Sequence, residues 1–288
     1  MTDLTPIVLV HGLWHGSWCW SPVTGSLAAR GVPSLAVDLE GHGLNGRSLA
    51  ARWARPFDPA AFATEPSPSA AVTASSAAAL LVEQIRQAGG GRPCVVVAHS
   101  MGGIVATAAA ELAPELFAEL IYVTAYVPVA GLSTAEYFST PEAAEGQVGG
   151  LLAADPAAVG ALRIDVGDRS RHAAMREVFY HDVDEQVADA AIGLLSPDAP
   201  AGIAGETLTV TAERYGSVPH TYVLCSEDRV VPRALQTRFV REIDAVSARP
   251  TTVVAFATSH SPLLSAPDAL ADVIGAAYRS RRPERASA

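Results

Sequence analysis

The sequence predicts an α/β fold in which a mostly parallel central sheet is flanked by helices and interrupted by a helical insertion. Short, apolar, β-branched runs alternate with helical stretches near both ends of the chain, and this alternation lapses in the middle. A serine-containing turn follows the most apolar of these runs. Alternating strands and helices are typical of βαβ units, which build parallel sheets. The length of 288 residues fits one large domain of this class or two small ones.

The first half of the chain contains four predicted strands separated by helices. The strands are expected at 7–10, 34–39, 94–98 and 120–124, and the helices at about 20–30, 72–87 and 104–112. Gly31 ends the first helix and the glycine run 89–91 ends the second, because glycine readily leaves the helical conformation. The first of these runs, 7–10, is β-branched and predicts a buried strand.

The middle of the chain differs. From about 127 to 214 the sequence is mostly helix-like and loop-like and shows no strong strand. Strands at 222–225 and 252–257 and helices at 232–243 and 267–278 then restore the alternation. We therefore expect a core of residues 1–126 and 215–288, with a cap of residues 127–214 over the carboxyl ends of the strands, where such sheets bind ligands.

Two further segments stand apart from this alternation. The proline-rich segment 44–71 is predicted to be an excursion, either a mobile flap or a loose loop. The polar tail 279–288 is expected to fray.

Composition excludes several classes of function. The 30 acidic and 20 basic residues give a net charge of −10, which disfavours binding to nucleic acid. No lysine occurs, so the lysines of P-loop enzymes, protein kinases and Schiff-base enzymes are missing. The three cysteines lack CxxC spacing, which argues against a zinc site or a disulfide framework. The amino-terminal residues do not resemble a signal peptide and no apolar stretch is long enough for a membrane span, so we expect a cytoplasmic protein.

The strongest local signal is the run from Val95 to Gly103, which ends in Ala-His-Ser-Met-Gly-Gly. A nucleophile elbow has the pattern G-x-S-x-G between a strand and a helix, and here Ala98 takes the place of the first glycine. Small residues are needed because the turn is sharp and the serine backbone is strained. The alternative, a glycine-rich nucleotide-binding turn, would have the pattern G-x-G-x-x-G, which is absent. We predict that Ser100 is the nucleophile.

A serine nucleophile needs a neighbouring base, and the base needs a carboxylate to orient it. His260 follows the strand predicted at 252–257, at the edge of the sheet where Ser100 is expected. Asp228 follows the strand at 222–225 and is our preferred carboxylate, with Glu227 as the rival. The order Ser100, Asp228, His260 is that of α/β hydrolases and differs from that of the two common protease folds.

Acyl transfer also needs two hydrogen-bond donors for the developing oxyanion. The backbone N–H of Met101, directly after the nucleophile, is one candidate, and the loop after the first strand supplies the other. In that loop Gly12 allows close approach of the backbone, so we predict the N–H of Leu13 as the second donor. The adjacent Trp14 either walls the pocket or belongs to the core. We predict no metal site, because His11 and His15 lie four residues apart but no further ligand with metal spacing accompanies them.

The chain resembles a known family in four segments: 10–20, 37–43, 98–103 and 214–228. They are similar to the α/β hydrolases that include plant methyl esterases, salicylate-binding esterases and hydroxynitrile lyases, with bacterial carboxylesterase relatives. The resemblance covers nearly the whole chain except 46–71 and the tail. It implies Ser100, Asp228 and His260 as the triad and Leu13 and Met101 as oxyanion donors. It also implies a helical cap over an apolar acyl or aryl pocket, no cofactor and, as in many members, a homodimer.

Two positions separate the chemistries within this family. The hydroxynitrile lyases carry Thr where this chain has Gly12, and Lys just after the catalytic His, where this chain has Ser261. Because Ser261 cannot supply the positive charge that stabilises departing cyanide, the resemblance favours an esterase. Dehalogenases and epoxide hydrolases of this fold have Asp at the elbow, so Ser100 counts against both.

We therefore expect a serine carboxylesterase that hydrolyses a small to medium apolar or aryl ester, such as a methyl ester or a lactone. A lyase or carbon–carbon bond hydrolase acting in natural-product tailoring, and a small-molecule binder with little turnover, remain the alternatives. The predicted pocket residues are Gly12, Trp14, His99, Tyr126, Phe138 and Phe179.

Overall fold

A computed structural model describes residues 6–280 of the chain. Its centre is a sheet of six parallel strands in the order β2-β1-β3-β4-β7-β8. These strands are β1 (Ile7–Val10), β2 (Ser34–Val37), β3 (Cys94–His99), β4 (Phe117–Val123), β7 (His220–Cys225) and β8 (Thr252–Phe256). All six predicted strands are confirmed, with ends that differ by up to three residues.

Thirteen α-helices lie within residues 6–280. They are α1 (Ser21–Ala29), α2 (Ala50–Trp53), α3 (Pro59–Thr64), α4 (Ala74–Gly89), α5 (Gly102–Leu112), α6 (Thr134–Tyr137), α7 (Pro156–Val159), α8 (His172–Phe179), α9 (Glu185–Leu194), α10 (Ala201–Gly205), α11 (Arg233–Val246), α12 (Pro262–Ser265) and α13 (Pro267–Ser280). Helices α4, α5 and α11 pack on one face, and α1 and α13 on the other. Arg279 and Ser280 belong to α13, and the rest of the tail predicted to fray lies outside the described residues.

The sequence of β3 explains why both faces are covered. Val96 and Ala98 contribute to the apolar core on the face of α4 and α5, whereas Val95 and Val97 contribute to the core on the face of α1 and α13. Successive side chains of a strand point to opposite faces, so a continuous apolar run needs helices on both sides. The strand is fully buried, which places its carboxyl end firmly within the molecule.

An insertion of residues 124–219 separates β4 from β7 and contains the region predicted to be a cap. It includes helices α6 to α10 and a small antiparallel sheet of β5 (Ala161–Arg163) and β6 (Asp198–Pro200). The expectation that this region has no strong strand overlooked β5 and β6. Each has only three residues, too few to show a period of two.

Hydrogen bonds fix the insertion against the carboxyl ends of the strands. Trp14 Nε1, in the loop after β1, donates to Leu162 O at 2.7 Å. The backbone N–H of Ser259, after β8, donates to Asp182 Oδ2 at 2.9 Å. The loop after β7 also contacts the insertion, because the backbone N–H of Gln147 in the insertion donates to the carbonyl of Arg229 in this loop at 2.8 Å. The insertion therefore covers the edge of the sheet where the reactive residues are predicted.

The segment 44–71 forms two short helices, α2 and α3, and packs against the insertion. The backbone N–H of Ser67 donates to Val159 O at 2.8 Å, and the side chain of Arg163 donates to Phe62 O at 2.5 Å. Arg163 is fully buried and also forms a bidentate ion pair with Asp198. These contacts make the segment part of the ordered wall around the insertion, in place of the flap or loose loop that the sequence predicts. Across residues 6–280, no helix has both the length and the apolar composition needed to cross a membrane.

Candidate active site

The turn between β3 and α5 has the geometry of a nucleophile elbow. Ser100 has a φ of 54°, a left-handed conformation that costs a side-chain-bearing residue about 1–3 kcal/mol. The glycines after it are required by close packing. A Cβ atom on Gly102 would lie 2.4 Å from His11 O, and one on Gly103 would lie 2.6 Å from Tyr126 O. The small residues of the motif therefore let two backbone segments cross directly behind the serine.

The three residues predicted as nucleophile, base and acid are brought together. His260 Nε2 lies 2.9 Å from Ser100 Oγ, and His260 Nδ1 lies 2.7 Å from Asp228 Oδ2. All three side chains are buried. With its Nδ1–H donated to the carboxylate, the neutral ring presents Nε2 as an acceptor for the serine hydroxyl proton. The arrangement can withdraw that proton as the serine attacks an electrophile.

The Asp228 carboxylate is held by the loop that follows β7. Its Oδ1 accepts hydrogen bonds from the backbone N–H groups of Val230 at 2.6 Å and Val231 at 2.9 Å. The hydroxyl of Thr124 donates to its Oδ2. The rival Glu227 is exposed to solvent. Geometry thus places Asp228, and not Glu227, beside the histidine.

Thr124 is a site residue that the sequence reasoning did not identify. It follows β4, and its φ of 37° is also left-handed. Its backbone N–H donates to Val223 O at 2.9 Å, which fixes the hydroxyl toward Asp228. A polar residue at the end of an apolar strand, at the same edge as Ser100, was the available signal.

The two predicted oxyanion donors lie next to Ser100. Within residues 6–280, the backbone N–H groups of Leu13 and Met101 have no protein acceptor. Gly12, which precedes Leu13, lies against Ser100, because a Cβ atom there would be 2.6 Å from Ser100 Cβ and 3.2 Å from its Oγ. The backbone of this loop therefore approaches the serine as closely as an oxyanion hole requires.

A second buried histidine, His99, packs against His260. His99 Nε2–H donates to the backbone carbonyl of His260 at 2.7 Å, and the two ring centroids are 4.7 Å apart. Burial, together with the neighbouring His260, holds the pKa of His99 well below its usual value. His99 is consequently neutral at physiological pH, and it fixes the backbone from which His260 extends.

His15, another buried histidine, fixes the backbone of Leu13, the predicted oxyanion donor. Its Nδ1–H donates to Leu13 O at 2.6 Å, and the hydroxyl of Tyr180 in the insertion donates to its Nε2 at 2.8 Å. Burial lowers the pKa of His15 to about 4. The insertion is thereby linked through one neutral ring to the peptide group that follows Leu13. Neither His15 nor Tyr180 was predicted as a site residue, because only the folded structure reveals this bridge.

His11 holds the third carbonyl in this region. Its Nδ1–H donates to Gly12 O at 2.8 Å, and its Nε2 accepts the N–H of Leu39 at 3.1 Å. Burial, with a contribution from nearby His42, lowers the pKa of His11 to about 3. Both ring nitrogens of His11 and of His15 are occupied by hydrogen bonds, and residues 6–280 contain no cluster of three or more His, Cys, Asp or Glu that could hold a metal ion.

An apolar cavity of about 400 Å³ adjoins the Ser100–His260–Asp228 cluster. Tyr126, in its wall, donates its backbone N–H to the backbone carbonyl of Ser100 at 3.1 Å. Val230, also in the wall, donates its backbone N–H to the carboxylate of Asp228 at 2.6 Å. The lining consists of Leu13, Trp14, Tyr126, Ala135, Phe138, Ala143, Gly146, Val148, Gly149, Leu152, Pro156, Leu162, Ala201, Ala204 and Val230. The cavity carries no charged side chain, and most of its wall comes from the insertion.

Three of the six predicted pocket residues line this cavity, namely Trp14, Tyr126 and Phe138. The other three lie outside its lining. Gly12 contacts Ser100, and His99 packs against the ring of His260. Phe179 is buried, with its ring centroid 5.7 Å from that of Trp14. The small residues that create the space, chiefly alanine and glycine, have no pattern that the sequence alone distinguishes from loop composition.

Comparison with known proteins identifies the family of this chain. Residues 7–273 match the model of the alpha/beta hydrolase family. The chain is 29% identical to Methylesterase 7 of Arabidopsis thaliana over 251 residues, which cover 82% of this chain and 83% of that protein. It is 26% identical over 276 residues to a pyrethroid hydrolase of Sphingobium wenxiniae, covering 94% of this chain and 86% of that protein. The resemblance to the methyl esterases and their bacterial relatives is thus confirmed.

Solved structures show the same fold. The crystal structure of a pyrethroid hydrolase from Sphingobium faniae superposes with a TM-score of 0.71 at 22% identity, covering 96% of this chain and 98% of that one. The six parallel strands, the elbow after β3 and the match over 7–273 lead to one conclusion. The chain belongs to the alpha/beta hydrolase family.

Proposed function

We propose that the protein is a serine carboxylesterase acting on uncharged, apolar or aryl esters. The observation that carries the proposal is the hydrogen-bonded series from Ser100 through His260 to Asp228. Beside it, the N–H groups of Leu13 and Met101 have no acceptor in the described part of the chain, residues 6–280. The likeness to proteins named methylesterase and pyrethroid hydrolase supports ester hydrolysis.

In the proposed first half-reaction, Ser100 Oγ attacks the ester carbonyl carbon while its proton passes to His260 Nε2. Asp228 stabilises the imidazolium through Nδ1–H. The carbonyl oxygen becomes an oxyanion and accepts hydrogen bonds from the N–H groups of Leu13 and Met101, each worth roughly 10²–10³ in rate. Collapse of this intermediate breaks the ester C–O bond, and the alcohol leaves with the proton from His260.

In the second half-reaction, water replaces the alcohol. His260 removes a proton from water as its oxygen attacks the acyl carbon, and the same two N–H groups hold the new oxyanion. The bond to Ser100 Oγ then breaks, the serine recovers its proton, and the carboxylic acid departs. Atoms balance as one ester and one water giving one acid and one alcohol.

The apolar cavity supports the choice of substrate. Its volume of about 400 Å³ and its uncharged lining suit an apolar acyl or aryl group, whereas a charged group would lose its hydration there without compensation. Methyl esters and lactones with such a group fit the same description. Gly12 supports hydrolysis over cyanohydrin cleavage, because a threonine side chain at this position would collide with Ser100 unless the loop moved.

The test is turnover of a p-nitrophenyl ester chain-length series by the full chain and by its Ser100→Ala variant. We expect turnover that peaks with medium-length acyl groups and vanishes in the variant, while circular dichroism and the melting temperature stay near those of the parent. Ser76→Ala, which alters an exposed serine of α4, is the matched control and should retain full activity. Undiminished turnover by Ser100→Ala would overturn the proposal, as would a clear preference for charged or sugar esters.

A further inference from the structure

A second concavity, here called the aromatic groove, lies between the segment 44–71 and the insertion. It has a volume of about 610 Å³. One wall carries Arg52, Trp53, Arg55, Phe57 and Phe62, and the other carries Asp165 and Asp168. The groove therefore combines aromatic rings with two arginines, a composition quite different from that of the apolar cavity.

The arginines of the groove retain hydrogen-bond donors that the protein does not use. Among residues 6–280, the half-buried Arg52 guanidinium has no acceptor and no ion-pair partner, and it lies 5.1 Å from the centroid of the Trp53 ring. Burial lowers the pKa of Arg52, although nearby Asp165 opposes this effect. Arg55 donates only to the carbonyl groups of Arg52 and Ala54. Both cations thus remain available to an anion.

The acidic side chains on the opposite wall are already engaged. Asp165 Oδ1 accepts the N–H of Gly167 at 3.0 Å, and Asp168 Oδ1 accepts both the N–H and the hydroxyl of Ser170. Hydrogen bonds from Ser170 hold the pKa of Asp168 below its usual value. Each carboxylate thus has a hydrogen-bond donor on its own wall, and among residues 6–280 neither forms an ion pair with Arg52 or Arg55.

The groove exposes aromatic rings to solvent, and these rings form an apolar surface on which a ligand could stack. Trp53 is 61% exposed and Phe57 is 41% exposed, both large apolar side chains at the surface. Phe57 packs on the buried Phe62, with ring centroids 5.6 Å apart. The buried Arg163 holds the backbone of Phe62 from behind, so the platform rests on a fixed support.

The groove is separate from the apolar cavity, since no described residue lines both. Strand β5 lies between them. Leu162 lines the cavity, whereas the next residue, Arg163, reaches toward Phe62 and the groove. A ligand in the groove would therefore leave the Ser100 cluster unoccupied.

We propose that the aromatic groove is a binding site for a small aromatic carboxylate. The carboxylate accepts hydrogen bonds from Arg52 and Arg55, for which the planar guanidinium is well suited, and the ring stacks on Trp53 and Phe57. The overall charge of −10 gives anions no general attraction to this protein, so such binding depends on these local groups.

The test is isothermal titration calorimetry of the full chain with 2-naphthoate and with the uncharged 2-naphthamide. We expect saturable binding of naphthoate at low-millimolar concentration or below and weaker binding of the amide. Arg52→Gln should weaken naphthoate binding by about tenfold or more, because a charge-assisted bidentate contact is lost. If Arg52→Gln melts at a lower temperature than the parent, naphthoate binding is measured on Arg55→Gln instead, and the same weakening is expected.

The controls separate this groove from other sites. Arg47→Gln makes the same charge change on an exposed arginine outside the groove and should leave binding unchanged. Phe138→Ala alters the apolar cavity and should also leave it unchanged. Equal binding of acid and amide would overturn the proposal, as would the absence of saturable binding, or loss of binding in Phe138→Ala with retention in both arginine variants. Each of these readouts is independent of ester turnover.

Discussion

The carboxyl edge of the sheet and the insertion that covers it contribute opposite kinds of surface. The edge carries buried polar groups that hydrogen-bond to one another. The Asp228 carboxylate, for example, accepts hydrogen bonds from two backbone N–H groups and from His260 Nδ1–H. The insertion contributes mainly small and apolar residues around an uncharged cavity. Under the proposed function, the edge would carry out the reaction and the insertion would select the substrate.

The two regions also meet at defined points. Tyr180 of the insertion binds His15, and Trp14 binds Leu162. Through these contacts the insertion reaches the loop that carries Leu13. Changes at the edge should therefore lower kcat strongly, changes at the cavity should alter the substrate preference, and changes at the contacts should have intermediate effects.

After Ser100→Ala, the largest effect should follow Asp228→Asn. An amide in place of the carboxylate cannot stabilise the imidazolium, so we expect kcat for a p-nitrophenyl ester to fall by about 10⁴. Glu227→Gln, one residue away and exposed, should leave kcat within about twofold because charges on the surface contribute little. Equal losses in both variants, measured by steady-state kinetics, would contradict the assignment of Asp228.

Gly12→Ala should have the next largest effect. The new Cβ would lie 2.6 Å from Ser100 Cβ, so either the loop or the serine must move. A displacement of about 1 Å costs roughly 100-fold in rate, which we expect in kcat with a smaller change in KM. The control is Gly25→Ala, since a Cβ atom there meets nothing within 4 Å. Retention of parental kcat by Gly12→Ala would show that the loop is not in contact with the reacting serine.

Tyr180→Phe tests the contact between the regions. The loss of one buried hydrogen bond, about 1 kcal/mol, should loosen His15 and reduce kcat roughly fivefold with KM little changed. Tyr215→Phe removes a comparable buried hydroxyl contact, with Tyr122, from the core. It should lower the melting temperature without lowering kcat. A change in melting temperature alone for Tyr180→Phe would mean that this contact is only structural.

Phe138→Ala tests the cavity. Phe138 is 38% exposed and its ring packs edge-on against Tyr126 at 5.5 Å. Loss of this aromatic contact, about 1 kcal/mol, should raise KM for aryl esters roughly fivefold and shift the optimum toward longer acyl chains. The Leu194→Ala variant, altered at an exposed residue outside the cavity, is the control. A fall in kcat for the shortest ester, with an unchanged chain-length optimum, would contradict the proposal that the cavity selects the substrate without taking part in the reaction.

The smallest effect concerns stability and pH. Burial lowers the pKa of His15 and of His220 to about 4, whereas unfolded histidine titrates near 6.5. Between these values the unfolded chain binds more protons than the folded one, so stability falls as pH falls from about 6.5 toward 4. We expect a lower melting temperature at pH 5 than at pH 7. His220→Gln should reduce this dependence, and a melting temperature that does not change with pH would refute it.

Much of the core and of the reactive cluster could be predicted from the sequence because both depend on local patterns. The apolar run ending in His99 is long enough to identify β3, and the residues after it identify the elbow. His260 and Asp228 could be chosen because parallel strands end at one edge. The same logic applied to Thr124 would have found it, but a lone threonine has no motif.

The insertion was less predictable for a physical reason. The strands β5 and β6 are too short to show periodicity, and they are stabilised by tertiary contacts such as the ion pair between Arg163 and Asp198. The segment 44–71 likewise acquires its order from contacts with the insertion. Such contacts join residues about 35 to 100 positions apart, as Arg163 does with Asp198 and Phe62, and no local pattern records them.

The most direct test of the central assignment, that the sheet edge carries out the reaction through Ser100, is stoichiometric labelling with a serine-directed phosphonate. Intact mass and peptide mapping would follow the label while p-nitrophenyl ester turnover is measured on the same samples. We expect one phosphonate per chain, located on Ser100, with turnover falling in proportion to labelling. Full turnover in completely labelled protein, or inactivation by a label on a different serine, would contradict the account.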